Sequence, residues 1–201
     1  MNGGVATYIR RVGRAQSDRG HEVVYFSRGH SASERTQEEV DYLEVATHDA
    51  LFSRAADLGL DILHLHRAVA DLPDDRVPTI RTVHGHQGGC PSGSRYLSRT
   101  GMPCNRTYSL TGCLWGHFVD RCGSVRPNRL TDNFTQIHRE IDQAEQIPTY
   151  TVSKFLRKQM RRAGCAPDRL HTLHSPAPSV DPSFTPVPRT APPRFLFLGR
   201  L

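Results

Sequence analysis

Apolar residues near the start of the chain recur at helical spacing: Val5, Tyr8, Ile9, Val12 and Ala15. Positions i, i+3, i+4 and i+7 share one face of a helix, so this set predicts a single buried stripe. Arg10, Arg11, Arg14 and Asp18 occupy the remaining surface, and Gly20 stands where a helix C-terminal glycine belongs. The pattern then changes to EVVYF, Glu22 to Phe26, whose β-branched and aromatic residues predict a buried strand. Ala50 to Leu58 reads as a helix ending at Gly59, and DILHLH (Asp61 to His66) as a strand. TIRTVH (Thr79 to His84), after Pro78, is a further strand.

The same alternation continues downstream. Leu130 to Gln146 is helical, with Phe134, Ile137 and Ile141 on one face. TYTVS (Thr149 to Ser153) is a strand, Lys154 to Ala163 a helix ending at Gly164, and LHTLH (Leu170 to His174) a strand. Helix, glycine and strand in repeated succession imply an α/β, Rossmann-like domain with a mainly parallel sheet and helices on both faces.

Both ends depart from that plan. Pro176 to Pro193 holds seven of the fourteen prolines, which neither donate to a ladder nor continue a helix, so residues 176–193 read as an extended linker. Phe195 to Leu198 then form an apolar run bounded by prolines and Gly199, the pattern of a strand buried on both faces. At the other end, Gly3 and Gly4 lead straight into the first helix. A doubly wound domain opens on a strand before such a turn, so the first strand is expected to be missing. The expected organisation is therefore one domain over residues 1–175, the linker, and residues 194–201 as the first strand of a second, missing domain.

Composition narrows the partners. At 201 residues the chain has room for one good-sized domain or a domain with part of another. With 37% hydrophobic residues and a mean hydropathy of -0.51 it is polar but globular. A net charge of +6 admits nucleic acid, anionic membrane or phosphate-bearing partners. The one compact basic run, KFLRKQMRR (Lys154 to Arg162), carries apolar residues at helical spacing and reads as a solvated helix face. No nucleic acid is expected. Neither a stretch of about 18 apolar residues nor a signal core is present, which points to the cytoplasm and to reduced cysteines.

Four of the five cysteines, Cys90, Cys104, Cys113 and Cys122, are spaced C-x13-C-x8-C-x8-C in a Gly- and Pro-punctuated block at about 85–125. No pair has the C-x2-C spacing typical of zinc sites, yet the few hydrophobes there make no independent core. Four thiolates around a structural zinc would suffice to hold it. Ordinary thiols are the alternative. Cys165 stands apart as a small buried residue.

Taken together, GGVATYIRRVGRAQSDRGHEVVYFS, TVHG (Thr82 to Gly85), TVSKFLRKQMRRAG (Thr151 to Gly164) and the final RFLFLGRL resemble, in order, the family-4 glycosyltransferases of the GT-B fold. The resemblance covers that family's N-terminal domain and the first strand of its second. It implies transfer of a sugar from a nucleotide-diphosphate donor to a sugar, lipid or small-molecule acceptor, with retention and with no cofactor required for catalysis. The family's donor lies mostly against the second domain, where its E-x7-E motif resides, so residues 1–201 alone are expected to be inactive. The Cys block departs from the common family pattern.

By that resemblance Gly3 and Gly4 meet the donor diphosphate. A glycine pair opening a helix offers free N–H groups and the positive dipole end to a phosphate, although plain turn glycines look the same. Arg200 is implied as a second diphosphate ligand, its guanidinium suited to phosphate oxygens. His84, at the carboxyl end of a strand, is implied as the catalytic-centre histidine contacting the donor sugar. His86 is a weaker companion on the acceptor side. Ser153 is equally readable as an acceptor-side residue or as a helix N-cap. His64 and His66 alternate on one strand and read as packed. Three readings thus stand: the acceptor-side half of a glycosyltransferase, a Cys-rich metal-stabilised binding module with a basic surface, and one chain of a two-component transferase. Peripheral contact with an anionic membrane fits the charge.

Overall fold

The computed structural model describes residues 4–27, 42–70, 76–176 and 183. Helix α1 spans Gly4–Ser17, followed by β1 (Tyr25–Ser27), β2 (Tyr42–Glu44), α2 (His48–Asp57), β3 (Leu63–Leu65) and β4 (Thr79–Val83). A 3-10 turn at His86–Gly88 leads to the hairpin of β5 (Tyr96–Leu97) and β6 (Met102–Pro103) and to α3 (Leu110–Phe118). The chain continues with α4 (Pro127–Gln146), β7 (Thr149–Thr151), α5 (Lys154–Arg162) and β8 (Leu170–Thr172). Gly3, Arg200, the Pro-rich linker and the apolar run at 194–201 lie outside the described residues, apart from Pro176 and Ser183.

Local chemistry sets the boundaries. Thr47, Ser109 and Ser153 each cap a helix, their hydroxyls accepting from the backbone N–H of Ala50, Gly112 and Leu156. Pro127 occupies the first turn of α4, where its missing N–H costs nothing. Gly20, Gly59 and Gly164 follow their helices at φ of 87°, 63° and 111°, the left-handed region that glycine enters freely.

The apolar stripe expected on α1 is only partly buried. Tyr8 is buried, as are Ala6 and Gly13, whereas Val5 is 39% exposed. The helix meets β1 through Gly13, where a Cβ would overlap the Tyr25 hydroxyl. β2, α3 and the hairpin carry no strong periodic signal, and the spacing rules do not find them.

β3, β4, β7 and β8 form one parallel sheet in that order, while β1 and β2 form a separate parallel pair. The register aligns Leu65 with Arg81, Arg81 with Thr149, and Thr149 with Leu170. Alternation then splits the sheet into two chemically different faces. On one face Leu63 and Leu65 pack with Leu51, Phe52 and Ala55 of α2, and Val83 and Leu170 pack with Ala144 of α4 and Leu156 and Met160 of α5. Cys165 joins that core at 2% exposure, as expected. His64, His66, Thr82, His84, Tyr150 and His171 belong to the other face, against which Tyr8 of α1 rests.

The apolar face conceals one charge. Arg81, at the centre of β4, is fully buried. Its Nη1 lies 3.1 Å from Glu140 Oε2, and its Nη2 donates to the Glu140 carbonyl at 2.9 Å. One turn on, Gln143 accepts from Val69 N at 3.1 Å and donates to Val69 O at 2.6 Å, which ties α4 to the segment after β3. The ion pair is close but imperfectly aligned, since neither Arg81 Nε nor Glu140 Oε2 has a hydrogen-bond partner. Removing one partner of a buried pair strands the other charge. Arg81→Met should therefore cost roughly 3–5 kcal/mol of stability, and Arg81→Met with Glu140→Leu clearly less. Urea unfolding of both variants checks this; equal losses would contradict it.

Candidate active site

In a parallel sheet all strands deliver their carboxyl ends to one edge, and open α/β folds place ligands there. Here that edge collects three residues, each just past its strand: His66 after β3, His84 after β4 and Ser153 after β7. β4 pairs with β3 on one side and β7 on the other, so His84 leaves the central of the three strands.

His84 is not alone. Its Nε2 lies 3.0 Å from His66 Nδ1, one of the two rings donating and the other accepting. The rings are 5.3 Å apart, and the His64 ring stacks on His66 at 4.3 Å. His64 Nε2 in turn bonds the Thr82 hydroxyl at 2.8 Å. Tyr8 meets both His84 and His66 edge-on, at 4.7 and 5.8 Å between centroids. The early turns of α1 therefore lie against the strand ends. His64 and His66, read from sequence as merely packed, belong to the same cluster as His84.

Burial disfavours the charged imidazole. Burial, with His84 adding repulsion, pushes His64 down to about 4. Burial, with His64 and His84 nearby, pushes His66 down to about 3. Burial lowers His84 as well. At neutral pH the cluster is uncharged, with one hydrogen bond joining His66 to His84 and another joining His64 to Thr82. With Nε2 engaged by His66, His84 has Nδ1 left for a ligand.

The other predicted residues fall as follows. His86, on the 3-10 turn, has its ring 6.0 Å from that of Phe155 in α5, and its buried Nδ1 has no hydrogen-bond partner. Burial, aided by Arg95, keeps it neutral too. Ser153 caps α5, its Oγ accepting from Leu156 N at 3.1 Å, so one of its two readings is realised. Gly4 opens α1, and no described atom lies within 4 Å of where its Cβ would be. Packing does not demand a glycine there. His66 and Tyr8 are the residues that motif reading missed. The signal available was two alternating histidines on a strand parallel to TIRTVH, combined with a pairing that sequence does not state.

The Cys block folds beside this edge. Asp120 anchors it, accepting from Arg106 at 2.6 Å and from Arg99 at 3.1 Å, and these bonds hold its carboxyl below the usual range. Arg95 donates to the carbonyls of Cys104 and Arg106 at 2.6 and 3.2 Å. All four cysteines of the block are free thiols on the walls of one small cavity. Burial, reinforced by the other three, raises the Cys122 thiol to about 11. As placed, no three His, Cys, Asp or Glu side chains among the described residues are grouped to hold a metal ion.

A profile for Glycosyltransferase Family 4 matches residues 2–110, from α1 to the start of α3. The chain belongs to that family. Its α/β fold with a parallel four-strand sheet is accordingly the Rossmann-like domain of the GT-B architecture. No curated protein and no solved structure matches the chain. The matched span contains Tyr8, His66, His84 and His86, so the histidine edge lies within the part that carries the family signature.

The neutral cluster has a pH signature. Unfolded histidines titrate near 6.5, so between pH 6.5 and about 4 the unfolded chain binds protons that folded His64 and His66 refuse. Their contribution to stability is complete above pH 6.5 and is lost as pH falls toward 4. Thermal melts from pH 7 to 4 should show a shallower decline for His66→Asn than for the unaltered protein. Identical slopes would exclude the cluster as a cause.

Proposed function

We propose that this family-4 glycosyltransferase moves a sugar from a nucleotide-diphosphate donor to a sugar, lipid or small-molecule acceptor with retention of anomeric configuration, and that the described residues are its acceptor-side half. The observation that carries the reading is the uncharged His84–His66 pair, backed by Tyr8, at the carboxyl edge of the sheet beside the opening of α1.

In such a transfer the bond from the anomeric carbon to the diphosphate breaks. A bond to the acceptor oxygen forms on the same face, and the hydroxyl proton passes to the departing diphosphate. Positive charge develops at the sugar and negative charge on the phosphate. Nearby cationic imidazoles would oppose the first, whereas a neutral ring fixed by a neighbour supplies an oriented hydrogen bond without that cost. His84 Nδ1 is assigned to a donor-sugar hydroxyl, with the tautomer set by His66. Gly3 and Gly4 are assigned to the diphosphate, and the lack of any described atom within 4 Å of a Cβ on Gly4, which opens α1, supports that role. Arg200 is assigned there as well. His86 and Ser153 are assigned to the acceptor side, where the buried, unpartnered His86 Nδ1 is one candidate contact. No cofactor is assigned to catalysis, nor nucleic acid as a partner. No helix among the described residues is long and apolar enough to cross a membrane. We place the reaction in the cytoplasm, with peripheral contact to an anionic membrane where the acceptor is a lipid.

The test uses the full-length protein with a panel of nucleotide-diphosphate sugars and follows the product anomer by proton NMR. Retention is expected, with His84→Ala lowering kcat roughly 100-fold, the scale of losing one positioned hydrogen-bond group at a reaction centre. An inverted product, or His84→Ala at full activity, would overturn the assignment.

A further inference from the structure

The Cys block has no apolar core to stand on. Neither hydrophobic cluster contains a residue between His84 and Glu140, and three large apolar side chains of the block face solvent: Met102 at 59%, Trp115 at 62% and Phe118 at 60% exposure. Two of its residues, Arg95 and Arg121, hold positive φ, a cost that regular packing does not offset here. Hydrogen bonds from Arg95 and the Arg99–Asp120–Arg106 ion pairs account for part of its order. Partly exposed pairs of this kind contribute little each.

What the fold does instead is gather sulfur. Cys90 follows the 3-10 turn, Cys104 follows β6, Cys113 lies within α3 and Cys122 comes after it. They are up to 32 residues apart in sequence, yet all four line one cavity of about 20 Å³. Glycine makes the approach possible: a Cβ on Gly116 would sit only 3.1 Å from Cys122 Sγ. The buried ring of His117 forms part of the same wall. Its Nδ1 is 2.8 Å from the Cys113 carbonyl and 3.7 Å from Cys122 Sγ, and its buried Nε2 has no hydrogen-bond partner.

We infer that Cys90, Cys104, Cys113 and Cys122 form a structural zinc site that holds this block against the sheet edge. Four thiolates saturate the tetrahedral preference of Zn²⁺ at about 2.3 Å per bond, and a closed site of that kind contributes folding energy outright. The cavity has room for a particle about the size of one water molecule. A single ion fits that space. Ligation requires the thiols, which line one cavity, to rotate about χ1 and close on one point. His117, oriented by the Cys113 carbonyl, is a positioning neighbour to the thiolates. Cys165 lies in the main core and takes no part. This inference stands apart from the transfer reaction, since it concerns what holds the block together and not what the sheet edge binds.

The experiment is elemental analysis of the purified full-length protein, kept reduced. It should carry about one zinc per chain, with Cys104→Ser and Cys113→Ser well below that and Cys165→Ala unchanged. Should the serine variants fail to fold, cobalt exchanged into the unaltered protein supplies the readout: intense visible bands and a thiolate-to-metal transition are expected for tetrahedral sulfur ligation. Iodoacetamide should label the four cysteines only after a strong chelator is added. Metal-free protein with freely labelled thiols, iron with acid-labile sulfide, a weak octahedral cobalt spectrum, or disulfides within the block would each overturn it.

Discussion

The buried guanidinium of Arg81 is the constraint around which the domain is arranged. Central strand β4 places it on the apolar face of the sheet, where an unpartnered charge would be untenable. Helix α4 answers with Glu140 and, one turn later, with Gln143, whose amide also grips both backbone groups of Val69. One polar stripe on one helix thereby fixes the height and rotation of α4 against β4 and the segment after β3. Hydrophobic packing by Ile141 and Ala144 would accept several rotations of the helix. The ion pair and the Gln143 bonds accept few.

That clamp has consequences on the opposite face. Fixing Arg81 toward α4 fixes Thr82 and His84 away from it, because strand side chains alternate. Parallel pairing with β3 then brings His66 beside His84, and α1 closes over both through Tyr8. Three histidines so close together could be a cluster of competing charges. Burial and mutual repulsion favour the neutral rings, so His66 and His84 hydrogen-bond each other while His64 bonds the Thr82 hydroxyl. Among the described residues, burial and the neighbouring imidazoles set the chemistry of the candidate site.

The Cys block follows a different logic from the sheet. Met102, Trp115 and Phe118 face solvent while the four half-buried cysteines line one cavity, unlike an ordinary globular segment. Asp120, held by two arginines, serves as a polar nucleus in place of a hydrophobic one. The block begins directly after His84 and His86, so whatever orders it also shapes the approach to the sheet edge.

Periodicity and glycine placement in the sequence determined the order of the main elements: α1, α2, α4 and α5 and the strands of the four-strand sheet follow from apolar spacing and from Gly20, Gly59 and Gly164. Four stretches in order, from GGVATYIRR through TVHG and TVSKFLRKQMRRAG to RFLFLGRL, pointed to the family, and strand-end position marked His84. Strand pairing decided the rest. Whether His64 and His66 were packing residues or members of the site depended on which strand lay beside β3 and in what register, and these are contacts between segments 18 residues apart. Whether Ser153 capped its helix depended on the backbone at that turn. Whether four cysteines without C-x2-C spacing could meet depended on how the hairpin and α3 folded back on each other. Local patterns record which face of an element is apolar. They carry no information about which other element that face, or the polar one behind it, will meet.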